Sequence, residues 1–368
     1  MPTGVDRVCL AYVHFFQFRA RALIIRGGFA LALSPDASAA LFDWLLGWVC
    51  GNTESGNFGK AVMALLKLPL RSVPRGSWVL NMGHSGLDRQ SYWGWLKRRQ
   101  IRLIVMAHDL IPITHPQFCQ RDATERHIKR LRVILEQAAG VVSNSRHTAD
   151  MLSAYAQQAG MDVPPLAVIP LGMKKRWPGH VGAPQDTVSP YFVMVGTLEP
   201  RKNHAFILYL WQRMRHEWPA AQIPRLIIIG QIGWMCGTVV HQLLHDEHLR
   251  DCVRLLTDCT DERLTQYLRH AQALLFPSHA EGYGLPLIEA LALGTPVLAS
   301  PLPVFREVAG DTPEYLDLDD EDAWLAAIRE YALPLDARRD AQLARLQDFS
   351  VPTWEQHFDA FEHFVSGL

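Results

Sequence analysis

Two segments of this chain gather residue types able to hold an anion and a hydroxylated ligand. In Phe276-Pro277-Ser278-His279-Ala280-Glu281-Gly282-Tyr283-Gly284-Leu285-Pro286-Leu287-Ile288-Glu289-Ala290, two carboxylates flank a loop with two glycines. In Val195-Gly196-Thr197-Leu198-Glu199-Pro200-Arg201-Lys202-Asn203, a glycine follows an apolar run and precedes an adjacent arginine and lysine. Carboxylate oxygens accept hydrogen bonds from hydroxyls, so Glu281 in the loop and Glu289 in or just beyond the first turn of the next helix suit different parts of one extended ligand. Arg201 offers a planar fork of donors and Lys202 a point charge, a pair suited to neutralising a departing diphosphate. Singly, each has a plainer role. Glu289 near a helix N-terminus is favourable for dipole reasons alone, Glu281 can bond its own loop, and a surface Arg-Lys pair is commonly just solvated. The ligand reading rests on their meeting at one sheet edge.

The elements that would position them follow from the same residues. A strand ends at Phe276 and Pro286 stands at the start of a helix, so strand end and helix start face one crevice, where open α/β sheets bind ligands and the positive helix end favours a diphosphate. Short apolar runs alternate with segments of helical period along the whole chain, the pattern of a parallel α/β architecture. Strands are predicted at 22–25, 78–81, 101–106, 140–143 and 167–169, forming one open sheet, and at 191–195, 226–229, 253–255, 273–276 and 296–299, forming a second. This divides the chain into a first domain (1–172), a Pro- and Gly-rich linker (173–190), a second domain (191–348) and a terminal segment (349–368). In that segment Trp354, Phe358, Phe361 and Phe364 make one face of an amphipathic helix that could pack back on the first domain.

A length of 368 residues exceeds the usual single domain, and 49% hydrophobic with 20% charged residues is an ordinary globular composition, which excludes global disorder. With 36 Lys and Arg against 37 Asp and Glu, the net charge of −1 argues against a nucleic-acid binder. The balance hides an asymmetry. Residues 60–102 hold nine basic residues and one acidic, whereas 311–322 hold seven acidic and none basic. Each is a solvated face in the plain reading; the basic block also suits an anionic membrane surface or a pyrophosphate-linked acceptor. Six scattered cysteines without a C-x-x-C pair suggest neither a zinc ribbon nor a disulfide scaffold. No apolar run is long enough to span a bilayer and the opening residues have no signal-peptide pattern, so a cytoplasmic protein, peripheral to the inner face of the membrane, is expected.

The second half resembles the retaining, sugar-nucleotide-dependent glycosyltransferases of family 4. The matching residues are Gly196–Asn203, Gly230-Gln231-Ile232-Gly233-Trp234, Asp261–Leu264, Phe276–Ser278, Glu281–Gly294, Thr295–Ser300 and Glu307–Asp311. The first half matches more loosely, through Thr3–Val8, His108-Asp109-Leu110-Ile111-Pro112, Val142–Ser145 and Ile169–Gly172. The resemblance implies the GT-B fold, an α/β architecture of two Rossmann-like domains facing a cleft, the second holding the nucleotide sugar and the first the acceptor. It further implies that Glu281 contacts donor-sugar hydroxyls, Glu289 the ribose, Arg201 and Lys202 the diphosphate, and His108 the transferred sugar. Gly4 would belong to a glycine loop, ahead of the first helix, that lets donor phosphate and acceptor approach. Donor contacts are thus expected at Gly4, Gly196, Arg201, Lys202, Gly230, Glu281, Gly282, Gly284, Leu285 and Glu289, and catalytic roles at His108, Glu281, Arg201 and Lys202.

Family membership implies transfer with retention, through front-side departure of the nucleoside diphosphate and same-face attack by the acceptor hydroxyl. No Asp-x-Asp motif is placed to hold a divalent ion, so no metal or other cofactor is expected, Arg201 and Lys202 standing in for one. Similar bacterial enzymes build O-antigen, capsule or exopolysaccharide. The expected donor is GDP-mannose, with UDP-hexose or dTDP-rhamnose as alternatives, and the expected acceptor an oligosaccharide on a polyprenyl diphosphate. A glycoside hydrolase also uses paired carboxylates but has no use for Arg201 and Lys202. The family pattern places a strand ahead of the glycine loop, whereas this sequence opens at Pro2-Thr3-Gly4; the first strand is therefore expected to be missing, which motivates a further alternative, an inactive transferase-like binding subunit.

Overall fold

The computed structural model describes residues 3–26, 29–49, 71–173, 182–184, 186, 190–334 and 336–368. The chain divides into two compact units, an amino-terminal one of Pro2–Leu110, Asp122–Leu171 and Trp354–Leu368, and a carboxy-terminal one containing Ile111–Arg121 and Gly172–Thr353. Most of the linker and residues 60–70 of the basic block lie outside the described residues.

In the amino-terminal unit, β1 (Leu23–Arg26), β2 (Phe29–Ala32) and β3 (Arg71–Ser72) form a three-stranded antiparallel sheet. This corrects the expectation that 22–25 joins the parallel sheet. Only Gly27 and Gly28 separate β1 from β2 in sequence, far fewer residues than a parallel crossover needs. The parallel sheet is β4 (Trp78–Asn81), β5 (Arg102–Ala107), β6 (Ala138–Ser143) and β7 (Leu166–Val168), in that order. The central strand β5 is buried from Leu103 to Ala107, as its unbroken apolar run requires of a strand covered on both faces.

The helix Gly4–Phe16 starts at a capping box in which Thr3 Oγ1 accepts from the Asp6 N–H and Asp6 accepts from the Thr3 N–H. Gly4 therefore stands in the first helical turn, not in a loop ahead of it. Against this helix packs Trp354–Ser366: Phe15 stacks on Phe358 at 3.9 Å and 6°. The Tyr12 hydroxyl donates to His357 Nε2 at 2.9 Å, and His357 Nδ1 donates to the Pro170 carbonyl at 2.8 Å. Within the basic block, Lys97, Arg98 and Arg99 occupy the last turn of the helix Gln90–Arg99, where cations suit the dipole.

The carboxy-terminal unit is one parallel sheet of order β10-β9-β8-β11-β12-β13, with β8 Tyr191–Val195, β9 Arg225–Ile229, β10 Val253–Leu256, β11 Leu274–Phe276, β12 Val297–Ala299 and β13 Glu314–Tyr315. Strand β13 was not anticipated because it is two half-buried residues inside the acidic stretch, with no apolar run to mark it. The acidic residues are largely structural. Asp320 caps the helix Glu321–Tyr331 by accepting from the Ala323 N–H at 2.9 Å, and Glu321 and Asp322 each pair with Arg213 at 3.0 Å. Fully buried Trp211 and Trp324 fill the core beside the sheet, each with its indole N–H satisfied by a backbone carbonyl. Among the described residues, no helix is long and apolar enough to cross a membrane.

Candidate functional site

Strand order in the carboxy-terminal sheet reverses between β8 and β11, whose neighbours run outward in opposite chain directions. Ligands bind at such a switch point, beyond the strands' carboxyl ends. Both motif segments emerge there. After β8 the chain passes Gly196 into the 3-10 turn Pro200–Lys202 and the helix His204–Glu217; after β11 it passes Pro277–Tyr283 into the helix Leu285–Ala292. The His279 N–H donates to the Arg201 carbonyl at 2.8 Å, tying the two loops together.

Two glycines explain how closely these segments approach. A Cβ on Gly230, just past β9, would lie 1.9 Å from the Gly196 carbonyl oxygen, so no side chain fits. Gly284, at φ +95°, begins the helix Leu285–Ala292 in a left-handed conformation, and a Cβ there would press on Phe305 at 2.8 Å.

The charged residues form one compact cluster. Arg201 is bound to Glu281 at 2.7 Å and to Glu199 at 2.5 Å, and its guanidinium also donates to the Ala280 carbonyl at 3.0 Å. Lys202 pairs with the other Glu281 oxygen, which accepts from Ser278 Oγ at 2.9 Å as well. The Lys202 ammonium lies 4.7 Å from the centre of the Phe276 ring, a cation–π contact. Side-chain exposure falls from 20% for Arg201 to 7% for Lys202 and Glu281 and 3% for Glu199, so Arg201 is the member that meets solvent. Burial alone would raise the Glu281 carboxyl, but Arg201 and Lys202 hold it down at about 2, so it is ionised at neutral pH. Burial lowers Lys202 and raises Glu199, each opposed by its charged neighbours. Two cations and two carboxylates thus offset one another. The sequence reading takes Arg201 and Lys202 as a cationic pair suited to a diphosphate and assigns no role to Glu199 and Ser278, although both stand inside the quoted segments.

Glu289 is buried, 2% exposed, at the fifth position of the helix Leu285–Ala292. Gly196 follows β8 directly, and Gly282 lies in the loop between Glu281 and Tyr283. Ile111–Arg121 also belongs to this unit: Phe118 stacks on His279, in the loop after β11, at 4.9 Å and 14°, and Trp234 Nε1 donates to the Phe118 carbonyl at 3.0 Å.

His108 and Gly4 belong to the amino-terminal unit. His108 follows β5 directly, is 7% exposed, and donates through Nε2 to the Met82 carbonyl at 2.5 Å. Its own carbonyl accepts from Asn144 Nδ2 at 3.0 Å, fixing the residue at the strand ends. Burial lowers the His108 imidazole below its ordinary range, with the Met82 carbonyl and Asp109 opposing. Beside it stands His84, and beside His84 stands His127; neither lies in a segment that carries the family resemblance, which is what singles out His108. Among the described residues, no group of three or more His, Cys, Asp or Glu side chains could hold a metal ion.

Comparison with known proteins agrees with the resemblance read from the motifs. Residues 181–332 match the family model described as glycosyl transferases group 1. The chain is 27% identical over 278 residues to the serotype-specific mannosyltransferase WbdA of Escherichia coli, a match covering 68% of this chain and 32% of WbdA. To the O-antigen chain mannosyltransferase B of Escherichia coli it is 28% identical over 278 residues, covering 71% and 69%. The chain thus spans about a third of WbdA's length. Among solved structures, Anabaena HepE in complex with UDP-glucose superposes with a TM-score of 0.65 at 14% identity, covering 100% of this chain and 97% of that one. That likeness is one of fold, and the fold is α/β of the GT-B type.

Proposed function

We propose, on the premise that residues 181–332 form a group 1 glycosyl transferase domain, that this chain moves a hexose from a nucleotide sugar to an acceptor hydroxyl with retention at the anomeric carbon. The observation that carries the reading is the Arg201–Lys202–Glu281 cluster at the sheet's switch point, where a diphosphate and a sugar can be held side by side. The names of the two Escherichia coli relatives favour mannose, hence GDP-mannose, and a role in O-antigen or related polysaccharide synthesis on a polyprenyl-diphosphate-linked oligosaccharide. A UDP-hexose is the alternative donor, favoured by the UDP-glucose complex of HepE.

In this mechanism the bond from the anomeric carbon to the diphosphate oxygen breaks first, leaving an oxocarbenium-like sugar. The acceptor oxygen then bonds to the same face and its proton passes to the departing diphosphate. Arg201 and Lys202 stabilise the charge that develops on that diphosphate, and catalysis consists of this stabilisation plus positioning. Glu281 accepts bonds from sugar hydroxyls while holding both cations in place, Glu289 takes the ribose, His108 meets the transferred sugar, and Gly4 sits against the donor phosphates. The two cations do the work a divalent ion would do, so transfer proceeds without metal. The basic residues of 60–102 would hold the protein at the membrane face that carries the acceptor.

The test is a thermal-shift series with GDP, UDP, dTDP and their sugars, followed by transfer assays in EDTA. A ligand at a hundred times its Kd stabilises by about 2.7 kcal/mol, so the true donor stands out. Selective stabilisation by GDP-mannose and undiminished transfer in EDTA are expected. Stabilisation by no nucleotide would overturn the reading; activity lost in EDTA and restored by magnesium would overturn metal independence.

A further inference from the structure

Two histidines clasp the carboxyl ends of β4 and β5 reciprocally. His84, three residues past β4, donates from Nε2 to the Met106 carbonyl on β5 at 2.6 Å, and His108, just past β5, donates from Nε2 to the Met82 carbonyl just past β4 at 2.5 Å. The rings lie 5.5 Å apart at 61°. A carbonyl oxygen only accepts, so each ring carries its proton on Nε2, and each neutral ring keeps Nδ1 as an acceptor.

His84 is held there against a local cost. Its backbone lies in the left-handed region at φ 58°, where a non-glycine residue carries strain of about 1 kcal/mol or more. The loop is pinned by Asn81 Nδ2, which donates to the Ser85 carbonyl at 2.9 Å. A third ring, His127 from the helix Ala123–Gln137, lies 6.2 Å from His84 and has a buried Nε2 without a hydrogen-bond partner. The titratable groups acting on His84 are His108 beyond β5, and His127 and Arg130 on that helix; Asp109 acts in turn on His108 and His127. Burial holds His84 near 3, so at neutral pH the ring carries one proton, the Nε2 proton that the clasp uses.

We propose that His84 is a positioning residue: its clasp on β5, the counterpart of the His108 clasp on Met82, locks His108 as the Nε2–H tautomer, which then presents an accepting Nδ1 to a ligand hydroxyl. This rests on the reading of His108 as the residue that meets the transferred sugar. It assigns a strained residue outside every quoted motif to that site, and it makes His108 an acceptor and not an acid.

Long-range proton–nitrogen NMR of the whole chain reports histidine tautomers and their titration directly. In the wild type, His84 and His108 are expected as Nε2–H tautomers, His84 neutral down to pH 5 and His108 titrating below its ordinary range. His84→Leu, which removes the donor, is expected to give His108 mixed tautomers and a titration more than one pH unit higher, whereas His84→Gln, which keeps an N–H donor, preserves the wild-type pattern. In transfer assays His84→Leu is expected to lower kcat about tenfold with the donor KM little changed, and to acquire an acid limb. An Nδ1–H tautomer for wild-type His108, or its titration near 6.5, would overturn the proposal even if His84→Leu fails to fold. So would a folded His84→Leu protein whose His108 tautomer and titration are unchanged. The NMR result holds whether or not sugar transfer is observed, so failure of the transferase reading and failure of this proposal are distinguishable.

Discussion

Glu281 is the residue through which the two cations of the site are connected, since Arg201 and Lys202 bind its two different oxygens. Removing its charge takes from the buried Lys202 ammonium the carboxylate paired with it and leaves Glu199 as one carboxylate for two cations. Glu281→Gln is therefore expected to cost about 3 to 5 kcal/mol in chemical denaturation. Adding Lys202→Met is expected to return part of that loss, because the orphaned charge goes with it; a double variant no more stable than Glu281→Gln would refute the pairing. These residues were legible because the site is assembled from two short local segments, each a strand end followed by a turn. The counter-charge from Glu199 was not legible: a glutamate two positions before an arginine in an extended loop has no fixed spacing that tells paired from solvated.

At the scale of elements, the packing of Trp354–Ser366 on Gly4–Phe16 rests on Phe358, which is 3% exposed and contacts the Phe15, Tyr12 and Trp354 rings. Phe358→Ala is expected to cost about 3 to 5 kcal/mol by thermal unfolding, the price of a large core cavity. A loss below 1 kcal/mol would show that the helix is not held by that face. The spacing of Trp354, Phe358 and Phe361 made this helix readable, as unbroken apolar runs made β5 and β8 readable. Periodicity says nothing of a strand's partner, which is why β1 was assigned to the wrong sheet, and nothing of strands as short as β3 and β13.

For the whole molecule, buried neutral histidines set the response to acid. His84 in the amino-terminal unit and His204 in the carboxy-terminal unit are both held near 3 by burial, against 6.5 when unfolded. Each contributes stability that is complete above pH 6.5 and is lost as pH falls toward 3. At pH 5.5 the loss is about 1.4 kcal/mol per histidine, and calorimetry should show a falling Tm between pH 7 and 5.5. A flat Tm over that range would mean these rings charge without cost. The net charge of −1 gave no hint of this, because it counts histidines as neutral wherever they sit. The path of the chain has a different consequence. Residues 354–368 complete the amino-terminal unit, yet they leave the ribosome only after the whole of Gly172–Thr353. During synthesis the faces of Tyr12, Phe15 and Phe16 that receive this helix wait uncovered while the second unit is made. A fragment ending at Leu171 should bind a hydrophobic dye and aggregate, and a separate peptide of residues 350–368 should relieve both. A well-folded, monomeric fragment would show that the first unit needs no such late closure.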